Sequence, residues 1–225
     1  MKVFKKQIMH VIFLAISLWL IAFLCNNYPS LLDGELWNIS TKTWLYLAIV
    51  SPILHQVYVL VCWRLELYYN TLSNIFSDKG FLYYKIGFAI LFLLRPITIT
   101  FLAISNTDTL EINPILSYVL SVFLLIPVIY LFYSVKKYFG FDRAFGIDHF
   151  EPKKLKTFPM VNKGIFKYTS NGMYIFGFLT LWVIGFLFMS NAALLMALFS
   201  HIYIWIHYYY TERPDMDFIY GDSTN

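Results

Sequence analysis

Two groups of polar side chains near the C-terminus are the residues best suited to chemistry, because each group borders an apolar run. The pre-hairpin group lies in K-G-I-F-K-Y-T-S-N-G-M-Y and contains Lys167, Tyr168, Asn171 and Tyr174. The tail group lies in H-Y-Y-Y-T-E-R-P-D-M-D-F-I-Y-G and contains His207, Glu212, Arg213 and Tyr220. Only Ser190 and Asn191 separate the two apolar runs between these groups. Helices joined by so short a turn are antiparallel neighbours, so we expect both groups to meet at one membrane surface.

Each group has a ligand-binding interpretation and an ordinary structural alternative. Asn171 and Gly172 are predicted to form the turn that starts a helix, where free N–H groups attract an anion and Gly172 lets a ligand approach the backbone. The alternative is that Asn171 is a simple N-cap. In the tail group, helical spacing places His207, Tyr210 and Thr211 on one face. The alternative there is an interfacial belt of aromatic and charged residues.

The composition is that of an integral membrane protein. Hydrophobic residues make up 59% of the chain and charged residues 13%, whereas soluble domains carry about 25% charged residues. We therefore predict a single membrane domain over residues 1–225, with a four-span scaffold at 1–135 and the functional loop, hairpin and tail at 136–225. Two cysteines and scattered histidines predict neither a disulfide framework nor a metal site.

The apolar runs predict an all-α, polytopic bundle of about six transmembrane helices. A span needs about 17–25 residues. The predicted spans are 8–24, 43–63, 84–104, 115–135, 173–189 and 192–210. The start M-K-V-F-K-K followed by an apolar run resembles a signal peptide, but no small-residue cleavage site follows, which favours an uncleaved first helix.

Charge predicts the orientation of these spans. One set of ends carries most of the basic residues, namely Lys2, Lys5, Lys6, Arg64, Lys79, Lys85, the lysines and arginine of 136–167, and Arg213. The opposite loops carry Lys42 with Asp33, Glu35, Asp108 and Glu111. The positive-inside rule then predicts a multi-pass protein whose termini and polar groups face the cytoplasm.

Several common enzyme motifs are absent from the sequence. It has no G-x-G-x-x-G and no P-loop, which argues against the usual nucleotide-binding turns. It also lacks G-x-S-x-G and H-E-x-x-H. A cofactor would therefore bind among helix ends and loops at the membrane surface.

The order of basic loop, pre-hairpin group, hairpin and tail group resembles that of integral-membrane methyltransferases that use S-adenosylmethionine. These include the phosphatidylethanolamine N-methyltransferases and the isoprenylcysteine carboxyl methyltransferases. The tail E-R-P-D-M-D-F-I-Y-G, with G-I-D-H-F and T-F-P upstream, is most similar to the former. The resemblance covers residues 139–221. The chain departs from the family pattern at Ser170, Asn171, Gly172 and Arg213, where arginine, histidine, proline and a second glutamate are common.

The resemblance implies a membrane enzyme that moves a methyl group from S-adenosylmethionine to a lipid amine, with phosphatidylethanolamine or its methylated derivatives as acceptor. The residues it implies for cofactor binding are Lys167, Tyr168, Asn171, Gly172, Met173 and Tyr174 on one wall, and His207, Glu212 and Arg213 on the other. Glu212 would pair with the cofactor's amino group or ribose hydroxyls. His207 and His149 are the candidate general bases, since an amine acceptor must lose its proton before it attacks.

The remaining candidates concern the lipid. Asp148, His149 and Arg95 are predicted to bind substrate. Arg95 lies well inside the third span, and with Pro96 it is expected to break the helix and contact a lipid phosphate or Glu66; the alternative is pairing inside the bundle. His55 in the second span is expected to be a buried hydrogen-bonding residue.

Two other functions stay open at this point. The acceptor could be another lipophilic molecule, such as a prenylated carboxylate or thiol. The chain could also be a non-enzymatic transporter or scaffold, which would carry polar residues at mid-depth throughout its spans. Mid-span polarity is sparse while surface polarity is clustered, which favours an enzyme.

Overall fold

The computed structural model describes residues 3–159 and 161–221, so Lys2 lies outside the described residues. The predicted all-α polytopic bundle is confirmed. The α-helices are α1 Gln7–Asn27, α2 Thr41–Tyr69, α3 Thr71–Phe76, α4 Gly80–Ser105, α5 Pro114–Ser134, α6 Phe141–Ala144, α7 Pro152–Leu155, α8 Leu179–Leu187, α9 Asn191–His207 and α10 Arg213–Tyr220.

Short irregular elements connect these helices. Within the described ranges three π-turns are present, at Val135–Phe139, Met173–Gly177 and Tyr208–Glu212. Single 3₁₀ turns lie at Pro29–Leu32, Ser77–Lys79, Ile147–His149 and Gly164–Lys167. The strands β1 (Glu35–Leu36) and β2 (Ile39–Ser40) form a small antiparallel hairpin.

Five helical segments in the described part of the chain are long and apolar enough to cross a membrane. They are Gln7–Asn27, Thr41–Tyr69, Thr71–Ser105, Pro114–Phe139 and Asn191–Tyr220. The predicted span at 173–189 is present as the shorter apolar segment Met173–Leu187. At 1.5 Å per residue this segment is about 22 Å long, less than the hydrocarbon thickness of about 30 Å.

The last helix is longer than predicted. We expected its span to end at Tyr210 and Glu212 to follow the helix. The backbone instead continues through the π-turn Tyr208–Glu212 into α10, so Glu212 lies inside a continuous helical segment. Pro214 does not interrupt it, because a proline in the first turn of α10 removes an N–H that the turn does not need.

Local sequence sets several helix starts. The Asn113 side chain accepts hydrogen bonds from the backbone N–H groups of Ile115 and Leu116 at the start of α5, as the Asn-Pro signal predicts. Ser190 caps α9 in the same way by accepting from Ala193 N. Because Ser190 is also the turn of the hairpin, α8 and α9 pack directly against one another, with Gly185 close to Leu194.

The core between α2, α4, α8 and α9 is built from small and aliphatic side chains. Five alanines in this core are fully buried, which lets the helix backbones approach closely. They are Ala48, Ala103, Ala192, Ala193 and Ala197.

A buried asparagine fastens the end of the bundle at which the hairpin turns. Asn106 is 1% exposed, and its amide donates to the carbonyls of Ser30 and Asp33 at 3.0 and 2.9 Å. Its side-chain oxygen accepts from Ser190 Oγ and from Ala192 N. One side chain thereby joins the loop after α1 to the start of α9.

Replacing Asn106 by leucine is expected to destabilise the protein. Each buried polar group left without a partner costs about 1–3 kcal/mol. The unfolding midpoint in detergent micelles should therefore fall clearly for Asn106→Leu. The exposed side chain of Asn74 donates a local hydrogen bond to Tyr69 O, so Asn74→Ala is the control and should change stability by no more than about 0.5 kcal/mol. Equal midpoints for both variants would contradict this role of Asn106.

Candidate functional site

The hairpin brings the pre-hairpin group and the tail group together at one contact. Tyr174 lies in the π-turn Met173–Gly177, and Glu212 ends the π-turn Tyr208–Glu212. The Tyr174 hydroxyl donates a hydrogen bond to Glu212 Oε2. Residues 38 positions apart in sequence thus form one polar pair at the end of the hairpin.

Aromatic rings and carboxylates surround this pair. The ring of Tyr174 lies 5.9 Å from that of Trp205 and 5.6 Å from that of Tyr208. Asn171 interacts with Tyr208, and the charges of Asp148 and Asp215 act on Glu212. Such a set of π faces and negative charge attracts a cationic ligand.

Two residues of the first two spans hold the π-turn that carries Glu212. Arg64 Nη2 donates to the carbonyls of Tyr210 and Thr211 at 3.1 and 3.3 Å. Gln7 Nε2 also donates to Tyr210 O, at 2.8 Å. A π-turn is rare and leaves a helix locally irregular, so these donors stabilise a backbone that would otherwise relax.

The Arg64 guanidinium is fully paired. Its Nε donates to both carboxylate oxygens of Asp215 at 3.1 Å, and its Nη1 donates to Val3 O and Lys5 O at 2.8 Å. The side chains of Arg64 and Asp215 are 1% and 0% exposed. Arg64 therefore lies at the same end of the bundle as Lys5, where we grouped both residues, but it is buried and paired with Asp215.

Asp148 and His149 are neighbours in sequence that face different partners. The Asp148 carboxylate accepts from the Tyr220 hydroxyl. The His149 ring stacks on Trp63 at 4.1 Å, and its Nε2 lies 3.7 Å from Asp215 Oδ2, which is too far for a hydrogen bond.

A glycine allows the loop that carries both residues to cover Trp63. Gly146 has a φ of +86°, and a Cβ there would lie 2.4 Å from the Trp63 ring. Only glycine combines that backbone conformation with that approach. The loop is thereby joined to the second span and to the tail.

His207 is enclosed by the bundle. It is 1% exposed, and neither ring nitrogen has a hydrogen-bond partner among the residues that the structure describes. Its ring lies 5.9 Å from that of His10 and 6.1 Å from that of Trp63. An imidazole with two free nitrogens can accept or release a proton, so its assignment as base stays a prediction.

The other residues predicted for the cofactor divide into two sets. Lys167, Tyr168 and Arg213 are exposed, so a surface ligand can reach them. Met173 packs against the cluster around Leu131. Gly172 is buried. A Cβ at this position would lie 3.2 Å from the Ile165 side chain, so this side of the glycine is covered by protein.

Arg95 lies inside an unbroken helix. α4 continues through Pro96 to Ser105, so the expected break is absent. Arg95 does not pair with Glu66, because Glu66 accepts hydrogen bonds from the backbone of Leu72 and Ser73 and from the Ser73 hydroxyl. The Arg95 guanidinium lies over the ring of Phe178 at 5.1 Å.

Sequence reasoning missed the contribution of the first spans to this site. Arg64, Trp63 and Gln7 contact the loop or the tail. Each resembles an ordinary residue at the end of a span, and the sequence gives no sign of its partner. The nearest sequence signal for the partner of Arg64 was Asp215, three residues after Glu212. A carboxylate that becomes buried at that position requires a cation such as Arg64.

Removing one partner of the buried pair is expected to destabilise the protein strongly. Arg64→Gln leaves Asp215 uncompensated, at a cost of about 3–5 kcal/mol. The double variant Arg64→Gln/Asp215→Asn should recover part of that loss. Lys85→Gln is the control, since an exposed pair such as Lys85–Asp142 contributes about 0–1 kcal/mol. Unfolding in detergent micelles measures all three, and an Arg64→Gln midpoint equal to that of the control would disprove the role.

One comparison with known proteins finds a family that matches part of the chain. Residues 116–223 match the model of the phospholipid methyltransferase family. No curated protein and no solved structure matches the chain. The matched residues begin in α5 and contain Tyr174, Glu212 and Asp215, whereas α1, α2 and α4 lie outside the match. Over residues 116–223 the chain is therefore similar to the phospholipid methyltransferase family, in agreement with its resemblance to the integral-membrane methyltransferases.

Proposed function

We propose that this protein transfers a methyl group from S-adenosylmethionine to the amine of phosphatidylethanolamine or of its methylated derivatives. The observation that carries the proposal is the contact of Tyr174 with Glu212, which joins the two polar groups inside the matched residues. The family supports the methyl-transfer chemistry and a membrane lipid as acceptor. The choice of the ethanolamine amine rests on the E-R-P-D-M-D-F-I-Y-G tail.

The residues around the Tyr174–Glu212 pair fit the cofactor chemically. When bound, S-adenosylmethionine supplies a methyl group already activated by a sulfonium. Glu212 offers a carboxylate for its amino group or ribose hydroxyls. The rings of Tyr174, Trp205 and Tyr208 offer π faces to a cation. Arg213 and Lys167 are exposed, so a surface ligand can reach them, and we assign them to the cofactor's carboxylate.

The protein's own contribution is orientation and proton removal. Tyr174 fixes the Glu212 carboxylate through its hydrogen bond, and Arg64 fixes the turn on which Glu212 stands. Holding two reactants in line removes much of the entropic barrier to a displacement. An ammonium cannot attack, so a base must accept its proton, and His207 is assigned that role because both of its nitrogens are free.

The orientation in the membrane follows from charge. The basic residues of 136–167 and Arg213 support a site on the cytoplasmic side, where the cofactor is available. The acceptor lipid enters sideways between helices, because its acyl chains remain in the bilayer.

Methyl transfer is tested with labelled cofactor. The purified protein in mixed-lipid vesicles should transfer label from S-adenosylmethionine to mono-, di- or trimethylated ethanolamine lipids. Glu212→Gln should lower the rate by about 10–10²-fold, since hydrogen bonds to charged groups contribute about 1.5–3 kcal/mol. Glu111→Gln, an exposed carboxylate in the loop before α5, is the matched control and should be unchanged.

The outcomes of this assay separate the candidate functions. Label in a different lipid or in a prenylated acceptor would keep the chemistry and replace the substrate. Absence of both label and cofactor binding by calorimetry would disprove the proposal and favour a transporter or scaffold.

The base is tested separately. His207→Ala should lower kcat by about 10²–10⁴-fold, the usual contribution of general acid–base catalysis, with little change in cofactor affinity. His201→Ala is the control, because His201 lies on the same helix and accepts a hydrogen bond from Trp182. Unchanged turnover in the His207 variant would remove this residue from the reaction.

A further inference from the structure

Arg95 is a buried cation without a counter-ion. Its residue exposure is 6%, and within the described residues it forms no ion pair. Its Nε and Nη2 atoms are buried and have no acceptor there. Arginine stays protonated in proteins, so burial cannot neutralise it. An unpaired buried charge costs several kcal/mol, which an anionic partner would offset.

Two buried histidines share this condition. His55 on α2 is 4% exposed and His207 on α9 is 1% exposed. All four of their ring nitrogens lack a partner in the part of the chain that the structure describes, so His55 is not the hydrogen-bonding residue that the sequence suggested. The charge of Arg95 acts on both imidazoles. The helices that carry these residues, α2, α4 and α9, pack against one another, so the unused polar groups lie in one region of the bundle. We name Arg95, His55 and His207 the mid-bundle cluster.

The mid-bundle cluster supplies donors to an anion. Arg95 offers two free N–H groups in the planar fork that matches phosphate oxygens, and each imidazole can offer at least one more. The carboxylates near the site are engaged elsewhere, Glu66 with Ser73, Asp215 with Arg64 and Glu212 with Tyr174. Among the described residues, no carboxylate therefore compensates the positive charge of Arg95.

The depth of the cluster indicates where its ligand comes from. Lys85 marks the basic end of α4, and Arg95 lies ten residues further along, about 15 Å at 1.5 Å per residue. A dissolved anion would have to cross that length of apolar bundle. A membrane lipid instead approaches the bundle from the side, and its phosphate would be drawn inward from the headgroup layer to Arg95.

We propose that the mid-bundle cluster binds the phosphate of the phospholipid whose amine is methylated. This inference rests on the proposed function for the identity of the acceptor. The order of residues along the last helix agrees with it. Tyr203 lies within the electrostatic reach of Arg95, His207 follows one turn later, and Glu212 comes next. A phosphate on Arg95 directs the ethanolamine toward His207 and the methyl donor beyond it.

Two of the three residues of the mid-bundle cluster lie outside the part of the chain that matches the family model. Arg95 and His55 lie outside residues 116–223, whereas His207 lies inside them. The first spans would then help to bind the phosphate and the last spans would carry out methyl transfer. His207 would take part in both.

The test measures lipid binding without methyl transfer. The full-length protein in maltoside micelles is titrated with short-chain phosphatidylethanolamine and with a phosphate-free amine of the same chain length, followed by tryptophan fluorescence. The wild type should bind the phospholipid about 10–100-fold more tightly, because hydrogen bonds to a charged group contribute about 1.5–3 kcal/mol. Arg95→Gln should abolish that preference, and Arg95→Lys should keep part of it. Lys85→Gln, the control on the same helix, should keep all of it.

Three results would overturn the proposal. The first is phospholipid preference in Arg95→Gln equal to the wild type or, if that variant does not fold, in Arg95→Lys. The second is an Arg95-dependent signal of the same size from inorganic phosphate alone, which would indicate a free-anion site. The third is an Arg95→Gln variant that loses affinity for S-adenosylhomocysteine, the demethylated cofactor, while its affinity for the phospholipid stays intact. An Arg95-dependent phospholipid preference without label transfer would support this inference while disproving the proposed reaction.

Discussion

The buried ion pair between Arg64 and Asp215 is the interaction on which the geometry of the site depends. An arginine inside a membrane bundle is costly unless every N–H finds an acceptor, and here the carboxylate and four backbone carbonyls supply them. Two of those carbonyls belong to Tyr210 and Thr211, immediately before Glu212. The requirement to satisfy one cation therefore fixes the turn that presents the carboxylate.

The two π-turns of the hairpin have a common consequence. Each lies at the polar end of its helix, and one carries Tyr174 while the other carries Glu212. π-Turns are often found at functional sites, because the extra residue re-aims side chains that a regular helix would direct elsewhere. Here they direct a hydroxyl and a carboxylate at one another. The aromatic rings of Trp205 and Tyr208 complete a surface suited to a cation.

Arg64 and Arg95 show two different treatments of a buried charge in one bundle. Arg64 is paired by the protein itself, so its contribution is structural. Arg95 is packed over Phe178 and keeps two donors unused. A protein that retains such an uncompensated cation forgoes stability, which is the behaviour expected of a binding site and not of a packing residue.

The sequence alone determined the class of fold, the antiparallel hairpin and the pairing of the pre-hairpin and tail groups. Each follows from local information, namely hydropathy, the two residues between the last apolar runs, and the Asn113-Pro114 start of α5. The tertiary structure decided the rest. It alone showed that Arg64 is buried, that His149 stacks on Trp63 and that Glu212 lies inside a helix. It also showed that buried nitrogens of Arg95 and His55 find no hydrogen-bond partner among the residues it describes. These features depend on which side chains of distant spans face one another, and apolar runs do not encode how helices are rotated about their axes.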